Sequence, residues 1–237
     1  MCTVSWSPAA GGYQLFFNRD ERRSRLTGLP PRPHEENGTK FLAPRDADAG
    51  GTWVAVNQFG LTVGLLNLYQ AAAAMAKPGR VSRGLLVRAL ASAPSLEAAA
   101  RLLDSQDLEE YSPFTLVAAA APMKVVTYAW DGRNSGEWLP ATPPVVSSGH
   151  DVVGATASRT SLFAGFGPPD RLGWQDLHAF HRSHLPEKGA YSPCMHRADA
   201  KTVSLTAILV EPERVKLAYA PGSPCVTELG SFIELAR

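Results

Sequence analysis

Strand-like segments arrive in consecutive pairs along this chain, and helix-like segments arrive in pairs between them. Residues 2–6 and 13–18 flank Ser7-Pro8-Ala9-Ala10-Gly11-Gly12, a turn-rich gap suited to a hairpin. Counting outward from that gap predicts Trp6 opposite Tyr13 and the segment near Phe17 facing Cys2. Residues 52–57 and 61–67 flank Gln58-Phe59-Gly60 and predict a second hairpin. Between these pairs, residues 22–45 read as a long, polar, Pro/Arg-rich connection of the kind that often carries function. Helical spacing follows Ser82-Arg83-Gly84, with Ser82 as N-cap, and a second helix opens at Ser95 after Pro94. Strands return at 114–119, 125–130 and 145–148. Helices are expected at 156–166 and 174–184, split by Gly167-Pro168-Pro169, and a last strand pair at 202–210 and 215–219. The biased stretch 71–76 is too short to be more than a loop or a frayed helix.

Such an order does not alternate strand with helix, so it excludes a parallel, doubly wound sheet. It predicts an α+β fold of antiparallel sheet with segregated helices. With no repeat, linker or charge block, residues 1–237 read as one domain. The 23 Lys/Arg and 22 Asp/Glu residues leave a net charge of +1, which gives no global field to recruit nucleic acid or an anionic membrane. No stretch approaches the ~18 apolar residues of a membrane span, and the first residues lack the pattern of a signal peptide. Three cysteines make no disulfide framework. The expected location is cytoplasmic.

Cys2 follows the initiator methionine directly. Removal of Met1 would expose it as an N-terminal residue carrying both a nucleophile and its base. An α-amine titrates near ~7.7–8.0 and a thiol near ~8.5, so the amine can take the thiol proton and later deliver it to a leaving group. Alone, a cysteine opening a buried strand explains the position equally well. Phe16-Phe17-Asn18-Arg19-Asp20-Glu21 adds to it, because hairpin pairing returns these polar residues beside Cys2. A nearby arginine favours thiolate. Gly50-Gly51-Thr52-Trp53 opens the second hairpin, whose outgoing strand ends at Asn67, an amide able to donate to a developing oxyanion.

Together, Met1-Cys2, Asn18-Arg19-Asp20-Glu21, Gly50-Gly51-Thr52-Trp53 through Asn67, and Ser82-Arg83-Gly84 resemble the NRDE family, also called the transport-and-Golgi-organisation family. The resemblance is clear over residues 1–90. That family is in turn similar to N-terminal-nucleophile hydrolases of the cysteine type. It implies a four-layer αββα sandwich and hydrolysis of a non-peptide amide bond in a small molecule. It further implies Cys2 as nucleophile, Asp20 holding the α-amine, Arg19 beside the thiol and Asn67 at the oxyanion. Asn18, Glu21 and Arg197 are the expected substrate-binding residues, Arg197 standing for an arginine that the hydrolases carry late in the chain. Their mid-chain asparagine has no counterpart in Val145-Val146-Ser147-Ser148-Gly149-His150. Members linked to haem trafficking and lipid metabolism supply the competing reading, a non-catalytic factor that carries a small ligand, haem or a lipid.

Other residues weigh less. His178, His181 and His184 share a slowly drifting helix face that reads as exposed. Cys194-Met195-His196 lies in a proline-flanked loop, and Cys225 in a turn. No metal or other cofactor is expected, and a Cys194–Cys225 disulfide is disfavoured by a cytosolic setting. The arginines at 19, 22, 23 and 25 form the one local basic patch, able to guide a carboxylate-bearing substrate towards Cys2.

Overall fold

The computed structural model describes residues 2–73, 75 and 79–237. The first hairpin joins β1 (Cys2–Ala9) to β2 (Gly12–Arg22). Its turn is the two-residue Ala10-Gly11, with Gly11 at φ +71°, so both strands run further towards the turn than the sequence suggests. Cys2 therefore pairs with Arg19 and Trp6 with Leu15, and the expected Trp6–Tyr13 register is corrected by two positions. An even shift leaves every side chain on its original face, which is why the inward set was still readable.

The polar connection expected at 22–45 is instead a second hairpin, β3 (Leu29–Glu36) and β4 (Thr39–Arg45). It turns at Asn37-Gly38, where φ is +51° and +74°, the pair of left-handed residues that a tight hairpin needs. Pro30, Pro31 and Pro33 disguise β3 as loop. They are tolerated because β3 is an edge strand, where a missing N–H breaks no ladder. Next come β5 (Val54–Asn57), β6 (Leu61–Asn67), α1 (Tyr69–Ala73), α2 (Arg83–Ala91) and α3 (Leu96–Asp104). Of the stretch 71–76, residues 71–73 fall in α1, and residues 74 and 76 lie outside the described residues. Ser95 Oγ accepts from Ala98 N at 3.2 Å and caps α3. Ser82 holds the N-cap position of α2 without a side-chain cap bond. β7 (Phe114–Ala120), β8 (Lys124–Trp130), β9 (Leu139–Pro140), β10 (Val145–Ser147), α4 (Val152–Ala164), α5 (Trp174–Arg182), β11 (Ala200–Val210), β12 (Arg214–Ala220) and β13 (Ile233–Ala236) complete the order.

The strands of the described residues pair antiparallel throughout, in two sheets ordered β10-β1-β2-β11-β12-β13 and β3-β4-β5-β6-β7-β8-β9. Val4, Trp6, Tyr13, Leu15 and Phe17 of the first sheet pack against Leu42, Val54, Val56, Leu66 and Val117 of the second. Leu86, Leu90 and Leu103 of α2 and α3 cover the second sheet's outer face. Phe163, Leu177 and Phe180 of α4 and α5 cover the first, against Phe16, Leu205 and Ala207. The result is the expected four-layer αββα sandwich. No helix among the described residues is long and apolar enough to cross a membrane.

α5 is not the exposed histidine helix that its charges suggest. His181 is fully buried, lies 2.9 Å from Ser5 Oγ through Nε2, and stacks on Phe16. Burial, with the Arg159 guanidinium adding to it, pulls the His181 imidazole down to about 3. An unfolded histidine titrates near ~6.5, so below that pH the unfolded chain binds a proton that the native one refuses. The stability from this group is complete above about pH 6.5 and is lost on acidification towards pH 3, by up to about 1.4 kcal/mol per pH unit. Urea melts at about pH 7 and about pH 5 should show this slope, and His181→Gln should flatten it. An unchanged slope would contradict the assignment.

Candidate active site

Cys2 opens β1 at the end of the first sheet, with Arg19 directly across on β2 and Ser147 directly across on β10. Residues opposite one another share a face, so thiol, guanidinium and hydroxyl all turn towards the second sheet. Arg19 lies 4.4 Å over the Trp53 ring and donates to Glu21 at 3.3 Å and Asp46 at 3.1 Å. Trp53 reaches this place because Gly51 lets two backbones touch: a Cβ there would lie 2.4 Å from the Gly84 carbonyl carbon, and Thr52 N donates to Gly84 O at 3.0 Å. The glycines of Gly50-Gly51-Thr52-Trp53 and Ser82-Arg83-Gly84 thus serve one contact, between a strand entry and a helix start.

A cleft opens here, lined by Cys2, Arg19, Asp20, Glu21, Asn67 and Arg83. A neighbouring one shares Asp20, Glu21 and Asn67 and adds Tyr69, Gly149 and Arg197. Asn67 Nδ2 donates to the Tyr69 hydroxyl at 3.1 Å, which leaves the amide a second N–H for a ligand. Burial pushes the Tyr69 hydroxyl up to about 12 and raises the Cys2 thiol, with the Asp20 and Glu21 carboxylates raising it further. Burial also lowers Arg83, whose Nη1 donates to Pro113 O at 2.8 Å. Most of the basic patch is already matched: Arg25 binds Asp46 and Asp48, and Arg23 donates to Arg197 O.

Asp20, one residue on from Arg19, turns to the helix side of the sheet. Its Oδ1 accepts from Thr202 Oγ1 at 2.6 Å, and its Oδ2 lies 3.6 Å from Arg159 Nη1. Burial raises this carboxyl while the guanidinium and the hydroxyl oppose the rise. Arg159 is wholly buried and donates to the Thr3 hydroxyl, to Ala190 O at 3.2 Å and to Tyr191 O at 3.4 Å. The arginine that meets Asp20 is therefore Arg159. Arg197 sits on the cleft rim, 2.9 Å from Asp199. The sequence signal was present, since Arg159 is the sole charged residue of α4, but nothing in its spacing pointed at Asp20.

Asn18 requires a correction. It is fully buried on the helix side and its amide donates to His181 O and Pro193 O, both at 2.9 Å. It anchors the backbone behind the site and does not line either cleft. On β10, Ser147 Oγ is buried with no hydrogen-bond partner among the described residues.

Solved structures share this architecture. The chain superposes on a Caenorhabditis elegans N-acylethanolamine-hydrolyzing acid amidase ortholog with TM-score 0.54 and 12% identity, over 88% of this chain and 92% of that one. A variant of conjugated bile acid hydrolase from Clostridium perfringens gives TM-score 0.54 and 11% identity, over 99% and 92%. These likenesses show that the chain shares the fold of those two hydrolases. The chain itself belongs to the Transport and Golgi organisation 2 family, whose model matches residues 1–152. No curated protein matches the sequence.

Proposed function

We propose that this protein hydrolyses a non-peptide amide bond in a small molecule, with Cys2 as nucleophile once Met1 is removed. Met1 lies outside the described residues. The observation that carries the reading is the grouping of Cys2, Arg19, Asp20 and Asn67 along one cleft at the strand ends. The freed α-amine takes the thiol proton, and the sulfur attacks the carbonyl carbon. Electrons move onto the carbonyl oxygen, where the spare Asn67 N–H donates. The C–N bond then breaks as the ammonium returns its proton to the leaving nitrogen. Water adds to the thioester, the C–S bond breaks, and acid and free thiol result. Asp20, held by Arg159 and Thr202, orients the amine. Arg19 acts less by ionising the thiol than by closing the cleft wall, since its guanidinium is committed to Glu21, Asp46 and Trp53.

The charged lining supports a polar substrate in preference to haem or a lipid, which weighs against a purely carrier role. Residues 1–237 are read as one working unit, in a cytoplasmic, reducing setting consistent with three free thiols. Brief treatment of the native protein with a small alkylating agent, followed by peptide mass mapping, tests the reading. Cys2 should be modified several-fold faster than Cys194 or Cys225, because an adjacent amine keeps part of it as thiolate. Equal labelling of the three would contradict the proposal.

A further inference from the structure

Past α5, residues 183–199 loop back before β11, and a second turn follows β12. Together they bring His184, Cys194, His196 and Cys225 to one point, with one ligand atom from each lying within 4.8 Å of all the others. We propose that these four residues bind a zinc ion, as a structural Cys2His2 site separate from the cleft chemistry.

The geometry is the first argument. His196 Nε2 is 3.5 Å from Cys194 Sγ and 3.4 Å from Cys225 Sγ. Around tetrahedral zinc, with Zn–S about 2.3 Å and Zn–N about 2.0–2.1 Å, the N···S edge is about 3.5 Å. A single nitrogen nearly equidistant from two sulfurs is what a shared metal imposes. The donor set is the second argument. Two thiols and two imidazoles suit zinc over magnesium or calcium, and two thiolates cancel its charge in a place where Cys194 is fully buried. Each thiol gives up its proton on binding. His184 supplies the third argument: its Nε2 is buried with no hydrogen-bond partner among the described residues, and its ring lies 5.1 Å from that of His196. A Cys194–Cys225 disulfide would leave both imidazoles converging on nothing. Only Cys194 and His196 are neighbours in the chain, so spacing alone does not disclose the site.

With four protein ligands the ion has no open position, so its work is mechanical. It ties the end of α5 to the loop at 194–196 and to the turn at Cys225. That loop carries Pro193 O, which receives Asn18, and Met195 N, which donates to Thr202 Oγ1 at 2.8 Å. Thr202 in turn donates to Asp20. The zinc would stiffen the backbone behind the carboxylate.

The full-length protein, purified under reducing conditions without chelator, should hold one zinc per chain by elemental analysis. Cys194→Ser/Cys225→Ser should lower the zinc content at least tenfold. Cys2→Ala should retain it, which separates this site from the cleft. Cobalt(II) added to zinc-stripped protein should give thiolate-to-cobalt charge transfer and the visible bands of a tetrahedral site. Substoichiometric zinc with a featureless cobalt spectrum in a folded wild-type protein would overturn the proposal. So would a native mass short by two hydrogens, with Cys194 and Cys225 joined. Both wild-type measurements decide the matter even if the double variant fails to fold.

Discussion

Cys2→Ala should lower amide hydrolysis at least about a thousandfold while leaving the fold in place. Cys2 makes its inward contacts through a small side chain at the end of β1, beside Val4 and Leu66 in the layer between the sheets. Removing one sulfur there costs about 1 kcal/mol of packing, too little to unfold a chain of this size. The chemical loss is of another order, since no other thiol lines the cleft. Cys194 and Cys225 lie together elsewhere, so neither can take over. The measurement is kcat/KM on a panel of N-acyl amides, paired with a thermal melt. A variant that kept its rate would exclude the thiol as nucleophile, and a variant that lost rate and fold together would leave packing as the cause.

Arg159→Met should be the most destabilising single change in the site, by about 3–5 kcal/mol. It strips the cation from a carboxylate that is itself buried, and frees the carbonyls of Ala190 and Tyr191 and the Thr3 hydroxyl. In a chain of this length that corresponds to a fall in Tm of roughly 10 °C. Adding Asp20→Asn should recover much of the loss, because removing both charges from a buried pair is far less costly than removing one. A double variant no more stable than the single one would mean that Arg159 acts through its hydrogen bonds to backbone, with Asp20 a bystander.

What could be read from the sequence, and what could not, divides on range. The hairpin through Gln58-Phe59-Gly60 was legible because turn chemistry and alternation agree within sixteen residues. The β3–β4 hairpin was not, although Asn37-Gly38 announced it, because three prolines in β3 argue against a strand unless that strand is known to be an edge. That Arg19, Asp20 and Asn67 lie near Cys2 was legible from the chain, because each sits near the end of a strand that returns beside it. Alternation sends Arg19 and Asp20 to opposite faces, but it does not say that one meets Trp53 and the other Arg159. Asn18 was misjudged for the same reason: it shares a face with Asp20 but lies one turn of the pleat deeper, under α5. Arg159 and the His184, Cys194, His196 and Cys225 group depend on packing of α4 and two late loops against the first sheet, a relation with no local signature.

Whether Cys2 works as an N-terminal residue is read directly from the intact mass of the full-length protein after expression in a cytosol. The expected mass lacks the initiator methionine. A chain that hydrolyses its substrate with Met1 still attached would contradict that role.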